Sequence, residues 1–247
     1  MCGRFVSSSP PDEIARYFDV TDVSESVIDP SWNVAPTRDV WVVYESGEAR
    51  RLDTFRWGLV PFWAKDPKVG NKMVNARAEA VPTSGAYKHA FRSRRCIVPA
   101  DGFFEWKAVA GQKRKQPYLL RRADGEPLAF AGLWEEWRPD GRDDDTTLRS
   151  CTIITTEANE DVSPLHDRMP VILPVGAWDR WLAPDAADVD GLRGLLVPAP
   201  PRLLRVHPVS VEVNSARAEG PQLVVPVEAA AEQPSLLPTA PASSNSA

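Results

Sequence analysis

Cys96-Ile97-Val98-Pro99, Phe103-Phe104-Glu105-Trp106-Lys107, Tyr118-Leu119-Leu120-Arg121 and Leu128-Ala129-Phe130-Ala131-Gly132-Leu133-Trp134 follow one another at roughly hairpin spacing. Each is a short apolar or alternating run of the kind that forms a strand, and a fifth lies over residues 148–155. Upstream, Val40-Trp41-Val42-Val43-Tyr44 reads as a buried strand, with Ser46-Gly47 turning the chain into a partner that runs from Leu52 to Trp57. A last strand is expected over 206–213. Helices are few. One starts at Ser9-Pro10-Pro11-Asp12, with Ser9 as N-cap, proline at N1 and a carboxylate closing the capping box, so that Ile14, Tyr17 and Phe18 share a face. Others are expected over 84–93, with Tyr87, Ala90 and Phe91 inward, and over 176–182 and 188–196. Trp32-Asn33-Val34-Ala35-Pro36-Thr37 has no period and reads as a loop, and Asp140-Gly141-Arg142-Asp143-Asp144-Asp145 as an exposed turn. Many short strands with few helices between them argue against a doubly wound parallel sheet. They imply an α+β domain built on a curled, mostly antiparallel sheet.

The chain has 247 residues, 43% of them hydrophobic and 26% charged, within the ordinary range of a soluble globular protein. No stretch has the pattern of a signal peptide or a membrane-spanning helix. Cys2, Cys96 and Cys151 are odd in number and far apart, which suggests neither a disulfide framework nor a zinc site. No metal or cofactor is expected, and a reducing cytoplasm is the expected compartment. The domain is expected to end near residue 228, followed by a disordered Ala/Pro/Ser-rich tail over 229–247.

The net charge is −5, which by itself argues weakly against nucleic acid as a partner. The distribution is uneven, however. Lys88, Arg92, Arg94, Arg95, Lys107, Lys113, Arg114, Lys115, Arg121 and Arg122 fall in one central stretch, opposed there mainly by Asp101 and Glu105. Such a region either binds phosphates or is a set of solvated surface charges.

The first residues carry a distinct chemistry. Removal of Met1 would leave Cys2 with an α-amine of pKa about 7.7–8 and a thiol of about 8.5 on one Cα–Cβ unit, both partly deprotonated near neutrality. An amine condenses with an aldehyde, and a thiolate then closes the imine to a five-membered thiazolidine. The alternative is an early residue of a frayed terminus. Three polar clusters stand in apolar surroundings. Asn75 and Arg77 flank Ala76, or are a turn asparagine and a surface arginine. Glu105 shares a strand face with Phe103, either as a desolvated acid/base with a raised pKa or as an edge residue facing water. His166 lies between Pro164 and Pro170, as a proton carrier or an inert loop residue, with Arg168 able to hold a phosphate.

Taken together, Met1-Cys2-Gly3-Arg4-Phe5, Trp32-Asn33-Val34-Ala35-Pro36, Arg56-Trp57-Gly58-Leu59-Val60-Pro61, Asn75-Ala76-Arg77-Ala78-Glu79, Arg95-Cys96-Ile97-Val98-Pro99-Ala100, Gly102-Phe103-Phe104-Glu105-Trp106 and His166-Asp167-Arg168-Met169-Pro170 closely resemble the SRAP (SOS response-associated peptidase) family, from residue 2 to about residue 226. The resemblance implies a single SRAP-type domain with a barrel-like core. It also implies an abasic-site sensor for single-stranded DNA, acting as a monomer and nucleoid-associated when bound. In this reading Cys2 forms a thiazolidine crosslink with the ring-opened deoxyribose. Asn75 positions the cysteine or the sugar, Glu105 shuttles protons, and His166 assists ring opening. Arg77 and Arg168 hold phosphates with Gly3 and Arg4 near them, and Trp63 wedges at a strand junction. Trp106 is either a DNA contact or core. Two other readings stay open at this level: an N-terminal-cysteine peptidase that removes its own Met1 or hydrolyses proteins, and a non-covalent single-strand binder. A Schiff base is also an intermediate of β-elimination, so strand cleavage is a side reaction of the same chemistry.

Overall fold

The computed structural model describes residues 2–139, 147–184 and 188–229. In chain order the strands are β1 Phe5–Ser7, β2 Asp22–Val23, β3 Ser31–Val34, β4 Asp39–Ser46, β5 Ala49–Trp57, β6 Asn75–Arg77, β7 Arg95–Ala100, β8 Gly102–Lys107, β9 Gln116–Arg122, β10 Leu128–Trp137, β11 Leu148–Glu157, β12 Arg168–Pro170 and β13 Leu204–Pro208. The α-helices are short: α1 Pro11–Tyr17, α2 Lys88–Ser93, α3 Trp178–Leu182 and α4 Val189–Arg193. None is long and apolar enough to cross a membrane.

The strands form two sheets. The smaller has the order β13-β9-β8-β1-β3; the larger runs β12-β11-β10-β7-β4-β5-β2. The larger sheet curls until β11 meets β5 in parallel, Ser150 against Arg56 and Cys151 against Trp57, which closes β5, β4, β7, β10 and β11 into a ring. This is the expected curled, mostly antiparallel architecture.

Closure explains the composition of the strands. Val40, Val42 and Tyr44 of β4, with Cys96, Val98 and Ala100 of β7, face one core that also takes in Phe5, Trp57, Phe103 and Phe130. The intervening Trp41, Val43 and Ile97 face a second core beneath the helices, with Phe18, Phe91, Trp178 and Trp181. A strand buried on both faces reads as a continuous apolar run. The β4–β5 hairpin turns at Gly47, whose φ of +65° favours glycine, as Ser46-Gly47 predicts.

Several expectations are corrected. The 31–34 segment is a strand, not a loop, because it pairs with β1. Helix α1 is capped by Pro10 without a side-chain bond, since Ser8 and Ser9 instead donate backbone and hydroxyl hydrogen bonds to Asp101. The helix expected from residue 84 begins at Lys88. The last strand ends at Pro208, and Val211–Asn214 is a 3-10 turn. Arg95 does not belong to a basic surface: it is buried and donates to the carbonyls of Phe91, Trp181 and Ala183. The turn expected at Asp140 to Asp145, and the tail from residue 230 onward, lie outside the described residues.

Candidate active site

The chain start is held by strand pairing. β1 lies between β3 and β8, with Phe5 opposite Phe103 and Val6 opposite Gly102. The Phe104 N–H donates to the Arg4 carbonyl at 3.0 Å, and continuing this register sets Gly3 across from Glu105. Cys2 is thus no frayed terminus. It is fully buried and belongs to the same core as Phe5 and Trp57. Met1, and with it the expected trimming, lies outside the described residues.

Asn75 reaches Cys2 from a different element. β6 runs parallel to β11, with Asn75 beside Ile153. The preceding carbonyl of Val74 accepts from Trp57 Nε1 at 2.8 Å and from Ile153 N at 3.1 Å. Its backbone fixed on both sides, Asn75 donates from Nδ2 to the Cys2 carbonyl at 2.8 Å. Among the described residues, buried Asn75 Oδ1 has no hydrogen-bond partner, an acceptor whose desolvation is uncompensated there.

Glu105 is 2% exposed, so the edge-strand alternative falls: β8 lies between β1 and β9. Burial raises its pKa to about 7, with Asp167 pushing the same way and Lys115 opposing. Burial also raises the Cys2 thiol well above its ordinary range, and the charge of Glu105 adds to this. The expectation of a partly ionised thiol therefore gives way to a neutral thiol in the field of a carboxyl whose own pKa is raised to about 7.

His166 is half-buried at the end of a turn organised by Asn159, whose Oδ1 accepts from the amides of Asp161 and Val162. His166 Nδ1 lies 2.9 Å from the Arg168 N–H and 2.7 Å from Asp167 Oδ1. Its pKa is lowered, chiefly by burial and further by Lys115, while Asp167 opposes. Cys2, Glu105, His166, Asp167 and Lys115 thus form one electrostatic neighbourhood.

The expected DNA contacts divide. Arg4 turns inward, donating to Asn33 Oδ1 at 2.7 Å and to the Val213 carbonyl at 3.0 Å. Arg77 is exposed. Arg168 is engaged by Glu79 through two parallel bonds of 2.6 and 3.0 Å. Trp106 packs against the small core of Val6, Phe104 and Val213, and donates from Nε1 to Asn214 Oδ1 at 2.6 Å. Trp63 is 56% exposed, and among the described residues no hydrogen bond or ring contact ties it to the cluster. Its loop is pinned to the end of β10 by Trp137 Nε1 donating to the Ala64 carbonyl at 2.6 Å.

Residue-by-residue reading missed Asn33, which is buried and gathers Arg4 and the carbonyls of Val213, Ser215 and Ala218. Its signal was an asparagine in an otherwise apolar motif. Lys115 was visible only as one charge of a basic stretch, and the loop between β8 and β9 sets it against Glu105 and His166.

Residues 1–216 match a sequence model described as SOS response associated peptidase (SRAP). The chain is 41% identical over 226 residues to the abasic site processing protein YoqW of Bacillus subtilis, covering 91% of this chain and 99% of that protein. It is 32% identical over 236 residues to the abasic site processing protein YedK of Escherichia coli, covering 92% and 100%. The crystal structure of a Bacteroides thetaiotaomicron protein superposes with a TM-score of 0.81 at 23% identity, covering 92% of this chain and all of the other, a likeness of fold.

Proposed function

Because this chain belongs to the SRAP family, we propose that it senses abasic sites in single-stranded DNA and captures them covalently through Cys2, shielding the lesion during the response to DNA damage. The observation that carries this reading is the convergence on one residue of the Asn75 amide, 2.8 Å from the Cys2 carbonyl, and the buried Glu105 carboxyl. The names of the relatives support the substrate.

Once Met1 is removed, the Cys2 amine adds to the C1′ aldehyde of the opened deoxyribose. The carbinolamine loses water to give an imine. The thiol sulfur then adds to the imine carbon, and its proton passes to the imine nitrogen. One C–N and one C–S bond have formed, and one water has left. A neutral buried thiol needs a base for this step. Glu105, with a pKa of about 7, accepts the thiol proton and returns it to nitrogen. Asn75 Oδ1, otherwise unpartnered, accepts from the Cys2 amine or a sugar hydroxyl. His166 presents Nε2 to the sugar and assists ring opening. Arg77 and Arg168 bind the flanking phosphates, with Gly3 and Arg4 lining the approach. Trp63 stacks at a single-strand to duplex junction, since base–aromatic stacking contributes roughly 1–3 kcal/mol per base. The protein works as a cytoplasmic monomer without a cofactor.

The test is incubation with a single-stranded oligonucleotide carrying one abasic site, without borohydride, followed by denaturing electrophoresis and intact-mass analysis. A heat-stable adduct absent from Cys2→Ala and Cys2→Ser is the expected result. Loss of Met1 without any adduct sinks the covalent reading and turns attention to peptide hydrolysis. Retention of Met1 leaves non-covalent single-strand binding.

A further inference from the structure

Arg168 is one of the most constrained cations in the described chain. It leaves β12 with its side chain 14% exposed. Nη1 donates to Glu79 Oε1 at 2.6 Å, and Nη2 donates to Glu79 Oε2 at 3.0 Å and to the Thr155 carbonyl at 2.6 Å. The two parallel bonds to one carboxylate are the fork geometry with which arginine grips a phosphate.

Glu79 stands on the outside of this pair. It lies just beyond β6, and its side chain is 62% exposed against 14% for Arg168. It also senses the positive charge of Arg77, two residues earlier, as well as that of Arg168. One carboxylate is therefore bound to one of the two guanidinium groups assigned above to the DNA phosphates and lies within the field of the other.

We propose that Glu79 is an internal phosphate mimic, which occupies the guanidinium edge of Arg168 in the free protein and gives it up to a backbone phosphate when single-stranded DNA binds. This deepens the DNA-capture reading and rests on it for the identity of the incoming anion. The exchange replaces one fork by another. Because the Glu79 side chain is 62% exposed, its carboxylate is rehydrated as it leaves, and the incoming phosphate takes over the two bonds to the guanidinium. Because Glu79 is tethered, it competes with every strand that arrives. Undamaged strands, held without a covalent bond, meet this competition in full. A strand bound covalently through Cys2 is retained despite it. Glu79 is thus a specificity-determining residue: it weakens occupancy of undamaged DNA and leaves captured lesions in place. A purely supporting role for Glu79, orienting Arg168 toward DNA, makes the opposite prediction for the sign of its removal.

The experiment measures binding of a labelled, undamaged single-stranded oligonucleotide by fluorescence anisotropy over a range of salt concentrations. Glu79→Gln should bind several-fold tighter than the parent. One additional phosphate contact should steepen the slope of log affinity against log salt by about 0.7. Glu157→Gln is the control for simple loss of negative charge, since Glu157 is exposed and lies opposite Arg168 in the β11–β12 ladder. The double variant Glu79→Gln with Arg168→Gln should lose the gain. The proposal is overturned if Glu79→Gln binds no tighter than Glu157→Gln, if it binds more weakly than the parent, or if the gain survives in the double variant. The two readings fail separately. An abasic strand that binds without crosslinking sinks covalent capture alone, whereas crosslinking with no effect of Glu79→Gln on undamaged DNA sinks the mimic alone.

Discussion

The backbone N–H of Arg168 lies 2.9 Å from Nδ1 of His166 and donates to it. A ring nitrogen that accepts a hydrogen bond carries no proton, so neutral His166 is the Nε2–H tautomer. Asp167 Oδ1, 2.7 Å from the same Nδ1, competes with this bond and becomes the acceptor whenever Nδ1 carries a proton. Nitrogen-15 NMR of the imidazole at pH 8 should therefore show Nε2 protonated and Nδ1 bare. Asp167→Asn should lower the His166 pKa further, because Asp167 opposes the downward pull of burial and Lys115. A dominant Nδ1–H form at pH 8 would remove the Arg168 hydrogen bond and the proposed donor role of Nε2.

Glu105 links the proposed chemistry to stability. Its pKa is about 7 in the folded chain against an ordinary 4.5, so folding holds a proton that the unfolded chain has released. The contribution is fully present below pH 4.5 and is lost as pH rises through 7. At about 1.4 kcal/mol per pH unit the loss amounts to at most roughly 3 kcal/mol at pH 8. Glu105→Gln should raise Tm at pH 8 and change it little near pH 4.5, while slowing crosslinking severely. Glu135, also raised to about 7 chiefly by burial, titrates in the same window, so the pH dependence of Tm should shrink in Glu105→Gln without vanishing. Equal effects on Tm at both pH values would contradict the assignment.

Trp57 reports on how the barrel supports the site. It is fully buried, meets Phe5 edge-on at 5.1 Å, and donates to the Val74 carbonyl one residue before Asn75. Trp57→Phe keeps the aromatic packing and deletes the N–H. The stability loss should be about 1–2 kcal/mol, the scale of one buried hydrogen bond. If the bond positions Asn75, crosslinking should slow well beyond what partial unfolding explains, measured as single-turnover rates far below Tm.

How much of this was legible beforehand follows from where the information lies. The β4–β5 hairpin and the run from β7 to β11 are local patterns, and their strands appear within a few residues of expectation. β1, β6 and β12 are three-residue strands that exist only because distant partners complete them. They carry Arg168 and Asn75 or adjoin Cys2, so the site's placement was the least local part of the chain. Glu105 was legible as an acid among aromatics, yet its burial depends on β1 covering β8. The family motifs supplied the grouping that periodicity cannot.

Arg95 is the sharpest case of a charge whose surroundings no local pattern discloses. It stands beside Arg94 in a basic stretch, yet only Arg94 reaches the edge of the fold, where it pairs with Glu135 at 2.8 Å. Arg95 is 2% exposed and ties α2 to α3 through the Phe91, Trp181 and Ala183 carbonyls. The planar fork of a guanidinium reaches carbonyls in several directions, and a lysine ammonium on a flexible stem does not reproduce it. Arg95→Lys should therefore destabilise the protein by about 3 kcal/mol or more, since buried carbonyls are left unpaired at about 1–3 kcal/mol each. Arg94→Lys keeps a cation beside the buried Glu135 and braces no helix carbonyls, so it should cost less. Denaturant unfolding of the two variants decides the matter: equal losses would mean that Arg95 acts as a simple charge rather than as a three-way brace between helices.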